Sequence, residues 1–85
     1  FERFCDSLTP EYFAAQQLQN IEVNEQPGFN IYEGEFNINK VPYIRGFYVQ
    51  RSGKNTLIGI ANYPASMKKE LGEYFTSMFK PPDNE

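Results

Sequence analysis

Tyr43-Ile44-Arg45-Gly46-Phe47-Tyr48-Val49-Gln50, then Arg51-Ser52-Gly53-Lys54, then Thr56-Leu57-Ile58-Gly59-Ile60-Ala61-Asn62 is the stretch that decides the fold. Two runs rich in β-branched and aromatic residues flank a Ser-Gly turn signal, which predicts a β-hairpin. With Ser52-Gly53 at the tip, the register sets Phe47 against Ile58, Val49 against Thr56 and Arg45 against Ile60. On the other face Tyr48 meets Leu57, Gly46 meets Gly59 and Ile44 meets Ala61. Both faces are then apolar, the pattern of central strands covered on both sides. The opposed glycines predict a shallow depression beside Tyr48 and Leu57, because a strand glycine admits close approach of a backbone or a ligand.

Downstream, a helix is predicted from Pro64 or Ser66. Met67, Leu71, Tyr74, Phe75, Met78 and Phe79 recur at steps of three and four and form one broad apolar stripe. Gly72 is costly inside a helix, by about 1 kcal/mol against Ala, so it predicts a close contact with the sheet, near Gly46 and Gly59. Pro81-Pro82 ends the helix, and a polar tail follows. Upstream, Thr9-Pro10-Glu11 predicts a helix start, with Thr9 as N-cap, Pro10 at the first helical position and Leu8 stapled to Phe13. That helix is expected to run to about Asn20. Ile21 to Asn24 reads as a short strand, Gln26-Pro27-Gly28 as a turn and Phe29 to Asn39 as an edge strand with one wet face. Phe1, Phe4 and Leu8 sit on one face of a short opening helix.

The expected fold is therefore α+β: an antiparallel sheet of three to four strands, flanked by an N-terminal and a C-terminal helix. Eighty-five residues make one small domain. Eight Phe and six Tyr supply its core in place of disulfides, because Cys5 is the only cysteine. That lone cysteine fits a reducing cytoplasm and equally a processed envelope protein without bridges. The net charge is -3 and like charges do not cluster, which argues against nucleic acid as a partner. No apolar run reaches the ~18–20 residues of a membrane span.

The chain contains no histidine. That removes the commonest general base, the histidine-based catalytic triads and the usual zinc sites. Gly53-Lys54 lacks the spacing and the strand-to-helix context of a phosphate loop, and reads as a hairpin tip. Glu33 and Glu35 share a strand face, as acids at i,i+2 on a solvated strand do, and no spacing fixes further oxygen ligands for a cation. Arg45 lies on an apolar face, where it either snorkels at a strand end or pairs with an anion. Neither a metal nor a cofactor is expected, and the reading is of a non-catalytic domain. The binding surface expected from the hairpin comprises Arg45, Gly46, Tyr48, Leu57 and Gly59. The edge strand Phe29 to Phe36 is a second candidate, through strand addition. The alternative is a small-ligand-binding or enzymatic domain in which Arg45 anchors an anion and Glu33 or Glu35 acts as base.

A helix with an aromatic-rich start, a Gln-Pro-Gly turn and successive antiparallel strands lead to Thr56-Leu57-Ile58-Gly59-Ile60-Ala61-Asn62-Tyr63-Pro64 and a closing helix ending Thr76-Ser77-Met78-Phe79. This order of elements, from Tyr12 to Phe79, resembles the second half of the PsbP-like α/β/α fold. That family includes a photosystem II extrinsic subunit, a Ran-binding nuclear import protein and bacterial envelope lipoproteins. The resemblance implies a domain that works by binding, at an envelope or within an assembly, with a protein as partner. It also implies that the family's opening strands lie upstream of Phe1, so that this chain is the C-terminal part of a larger domain. No residue matches a functional motif of the family.

Overall fold

The computed structural model describes residues 1–79, so the expected Pro81-Pro82 stop and the polar tail lie outside the described residues. Two short helices, α1 (Glu2–Ser7) and α2 (Pro10–Ala15), precede four strands: β1 (Gln19–Gln26), β2 (Phe29–Ile38), β3 (Val41–Ser52) and β4 (Asn55–Pro64). A 3-10 turn (Ala65–Met67) leads into α3 (Lys68–Phe79). The strands form one antiparallel meander in the order β1-β2-β3-β4. The fold is α+β, with helices on both faces of the sheet.

Each strand pair is joined by a two-residue turn, and the residues in each turn match its backbone sign. Pro27-Gly28 has a positive φ only at Gly28 (71°), the pattern of a type II turn. Asn39 and Lys40 are both positive (49° and 70°), as in type I′. Gly53 alone is positive (61°) in Gly53-Lys54, as in type II′, which wants glycine first. The last turn corrects the expected register. The loop is Gly53-Lys54 and not Ser52-Gly53, so every partner moves by two residues. Phe47 pairs with Ile60, Val49 with Ile58 and Arg45 with Asn62, while Gly46 faces Ala61 and Gly59 faces Tyr48. A slip of two keeps each side chain on its expected face, because the pleat repeats every two residues.

Alternate residues of the sheet enter two separate cores. On one face Leu8, Phe13, Leu18, Tyr32, Phe47 and Val49 pack together beneath α1 and α2, with Phe1, Phe4, Cys5, Ile21 and Phe36 around them. On the other, Phe29, Ile31, Ile44, Tyr48, Ala61 and Tyr63 pack against Leu71, Phe75 and Phe79 of α3. Only Leu71, Phe75 and Phe79 of the predicted helical stripe reach the sheet; Met67, Tyr74 and Met78 are exposed. Arg51 pins α1 to β3 through an ion pair with Glu2 and a guanidinium 5.0 Å from the Phe1 ring.

The start of α2 follows its sequence signals. The Thr9 hydroxyl accepts from the Tyr12 amide (3.1 Å), and Leu8 and Phe13 meet in the core as a staple. Its end comes earlier than expected, at Ala15. Gln17 turns left-handed (φ 60°), the Gln17 amide donates to the Ala14 carbonyl and the Leu18 amide to the Phe13 carbonyl. This is a Schellman motif closed by the Leu18–Phe13 apolar contact, with glutamine in the place usually held by glycine. The chain thus enters β1 at Gln19.

Candidate functional site

The hairpin residues expected to form a binding surface lie in three different environments. Tyr48 has no exposed surface and belongs to the α3-side core. Its ring folds back over Gly46, where an added Cβ would meet the Tyr48 hydroxyl at 2.6 Å. Gly59 is covered by Phe79, whose ring stacks on Tyr48 with centroids 5.2 Å apart. The expected depression is filled by the protein's own aromatic rings, and Leu57 alone of that face is exposed (51%). Gly72 does lie against the sheet side chains, but beneath the Tyr63 hydroxyl and the Glu33 carboxylate, not beside Gly46 or Gly59.

Arg45 is half-buried on the opposite face, under the N-terminal helices. Its Nε donates to Asn62 Oδ1 (2.8 Å), its Nη1 to Gln16 Oε1 (3.2 Å), and the guanidinium sits 4.8 Å from the Phe36 ring centroid. Glu33 and Glu35 project to the α3 side, as their pairing with Gly46 and Ile44 requires. Arg45 and the two carboxylates are therefore divided by the sheet and do not converge. Glu33 Oε2 accepts from the Tyr63 hydroxyl (2.9 Å), and Glu35 Oε2 accepts from Asn20 Nδ2 (3.0 Å). Burial raises the phenol pKa of Tyr48 to about 12, with the nearby Glu33 charge adding to it. The Tyr48 hydroxyl is buried without a hydrogen-bond partner among the described residues. The neighbouring Tyr63 hydroxyl donates its hydrogen bond to Glu33 instead.

Among the described residues two open surfaces stand out. One is a groove of about 810 Å³ between α3 and the β1–β2 side of the sheet, lined by Glu33, Lys68, Lys69, Gly72, Glu73, Thr76 and Ser77. Lys68 Nζ reaches across to Glu22 Oε1 (2.7 Å), so its one firm polar contact is internal. Among the described residues no three acidic, cysteine or histidine side chains could hold a metal ion.

The other open surface is β4. The expectation of a central strand there is overturned, as is that of an edge at Phe29 to Phe36: β2 is interior, and the edges are β1 and β4. These two edges differ in how they are protected. Exposed edges are usually blunted by charge, a bulge or proline. β1 carries Glu22 and Glu25, and its pairing is interrupted between Gln19 and Glu22, where Asn20 has a φ of 51°. β4 has no charged residue, no interruption of register and no proline before Pro64. A two-residue turn makes Ser52–Asn55 a hydrogen-bonded pair, so Leu57, Gly59 and Ala61 bond to β3. Thr56, Ile58, Ile60 and Asn62 then send their N–H and C=O groups outward. Pro64 falls in the same outward set, where no donor is required.

The side chains along this edge are apolar and exposed. Ile58 (47%) and Ile60 (61%) lie beside α2 on one face. Leu57 lies on the other, with Tyr74 and Met78 on the flank of α3 away from the groove. The sequence alone does not reveal this edge, because two apolar faces are also the pattern of a buried central strand. The signal that could have found it is a ten-residue strand without charge at the end of a meander, where a helix covers only one face.

No family model, no curated protein and no solved structure matches the chain. Among the described residues no helix is long and apolar enough to cross a membrane.

Proposed function

We propose that this domain is a non-catalytic interaction module that takes up an added β-strand along β4. The observation that carries the reading is the open edge itself: outward backbone groups at Thr56, Ile58, Ile60 and Asn62, flanked by exposed Ile58, Ile60 and Leu57 and free of charge. Strand addition draws affinity from main-chain hydrogen bonds and specificity from alternate side chains. A cluster of exposed large apolar side chains along one edge is the surface signature of a partner. The likeness in element order to PsbP-like domains supports the same reading, since it implies a protein partner within an assembly. The division of Arg45 from Glu33 and Glu35 by the sheet counts against the alternative that joins them in one small-ligand site.

The test is a titration of the isotopically labelled domain with a capped, uncharged peptide of alternating Thr and Ile, followed by amide shifts and exchange. Shift changes and slowed exchange are expected at Thr56, Ile58, Ile60 and Asn62. Changes confined to the groove at Lys69 and Thr76, or none at all, would refute the reading.

A further inference from the structure

Resting on that reading, we infer that the strand added to β4 is β4 of a second copy of this chain, paired antiparallel about a two-fold axis at Gly59. The argument begins with what an added strand must offer. β4 presents no charged group to recognise a charged partner, so a matching strand is itself uncharged and apolar on alternate residues. Within this chain β4 meets that description, whereas the other edge, β1, brings Glu22 and Glu25.

The sequence around Gly59 is close to symmetric under strand reversal. With Gly59 facing Gly59 of the second copy, Ile58 faces Ile60 and Ile60 faces Ile58, which gathers four isoleucines on the α2 side. On the α3 side Leu57 faces Ala61 at both ends of the pair. Thr56 faces Asn62, so the polar ends also match. Opposed β-branched residues are favourable cross-strand pairs, and no like charges oppose one another. The backbone agrees with this register. Ile58 and Ile60 point their amides and carbonyls outward and form the hydrogen-bonded pairs, while Gly59 falls at the close, non-bonded position. Glycine there lets the two backbones approach, each still covered by its own Phe79 ring.

A two-fold of this kind is self-complementary and closes on itself. It doubles the four-stranded sheet, keeps both copies of α3 on one side, and leaves the blunted β1 edges outermost. Tyr74 and Met78 of the two copies then flank the new seam.

Sedimentation equilibrium across the micromolar range tests the pairing, and spin labels test the register. The wild-type chain is expected to be a concentration-dependent dimer. Ile60→Lys is expected to weaken it by more than about tenfold while leaving the circular dichroism spectrum intact. A label at the exposed Asn55 (Asn55→Cys in a Cys5→Ser background) is expected at about 26 Å between copies, at ~3.3 Å per residue along the strands. A distance near 20 or 33 Å overturns the Gly59 axis, because those are the neighbouring registers at the same rise. A dimer unaffected by Ile60→Lys overturns the β4 seam. A monomer throughout overturns self-pairing; if the Thr-Ile peptide still protects the Thr56 to Asn62 amides, the strand-acceptor reading survives its loss.

Discussion

Replacing Gly59 by alanine tests whether the ring of Phe79 is the reason for glycine there. A Cβ at Gly59 would fall 2.2, 2.4 and 2.6 Å from three Phe79 ring atoms. Carbon atoms pack at about 3.5–4.0 Å, so the ring must retreat by roughly 1.3 Å or more. That retreat breaks its stack on Tyr48, whose centroid lies 5.2 Å away. Overpacking of this kind costs about 1–3 kcal/mol, and the lost aromatic pair accounts for about 0.5–1.5 of it. Alanine recovers about 0.5–1 kcal/mol through the lower entropy of its unfolded chain. The net expectation is a loss of about 1.5 kcal/mol, or a fall in Tm of roughly 6–12 °C for a domain of this size. Thermal and urea unfolding at one protein concentration measure it. The decisive comparison is a double-mutant cycle with Phe79→Ala. Without the ring, Gly59→Ala is expected to reverse sign and stabilise slightly. An equal loss in both backgrounds would refute the reasoning, since the clash would then not be with Phe79.

Three further outcomes follow from the same packing. Tyr48→Ala is expected to cost about 3–5 kcal/mol as a cavity mutation, whereas Tyr48→Phe is expected to be neutral or stabilising by up to about 1 kcal/mol, because it removes a buried hydroxyl without a partner; urea unfolding of both variants checks this, and a large loss on Tyr48→Phe would reveal a hydrogen bond at that oxygen. Gln17→Gly is expected to stabilise by about 0.5–1 kcal/mol, because glycine adopts the positive φ of 60° without side-chain strain; an unchanged urea midpoint would count against strain at Gln17. Burial, as the largest cause, raises the phenol pKa of Tyr32 and Tyr48 to about 12 and that of Tyr63 further. Unfolded tyrosine loses its proton near pH ~10, so above that the unfolded state binds fewer protons and stability falls. For Tyr32 and Tyr48 the contribution is whole below about pH 10 and is lost between about pH 10 and 12, at up to ~1.4 kcal/mol per pH unit for each of the two phenols. Urea midpoints across this window, with phenolate absorbance, measure it. A native-state Tyr48 titration near pH ~10, isolated by difference from Tyr48→Phe, would contradict it.

The fold was largely legible because its signals are local. The Thr9-Pro10 cap, the Pro27-Gly28 turn and the two-residue alternation of the strands each constrain only a few neighbours, and each is present in the structure. The errors came where the deciding term was not local. The end of α2 depends on glutamine accepting a left-handed conformation because Leu18 gains a core contact, which no residue at position 17 announces. The β3–β4 register depended on which central turn position holds glycine, and a displacement of one residue in the loop moved every partner by two. The candidate site was least legible. Apolar alternation on β4 looks the same whether a helix covers it or a partner does. What separates the two cases is the number of helices available, and α1 and α2 are too short to extend over Ile58 and Ile60.

Joining every strand to the next by a two-residue turn also has a kinetic consequence. Loop-closure entropy rises with loop length, so each pairing in this sheet begins from the smallest closure a hairpin permits. Hairpins of this kind form in about 1–10 μs in isolation. The slower events left to the chain are the docking of α1 and α2 on one side and of α3 on the other, and a domain of this contact pattern is expected to fold on the order of milliseconds. Local closure of the β3–β4 hairpin is thus expected to form the β4 edge early.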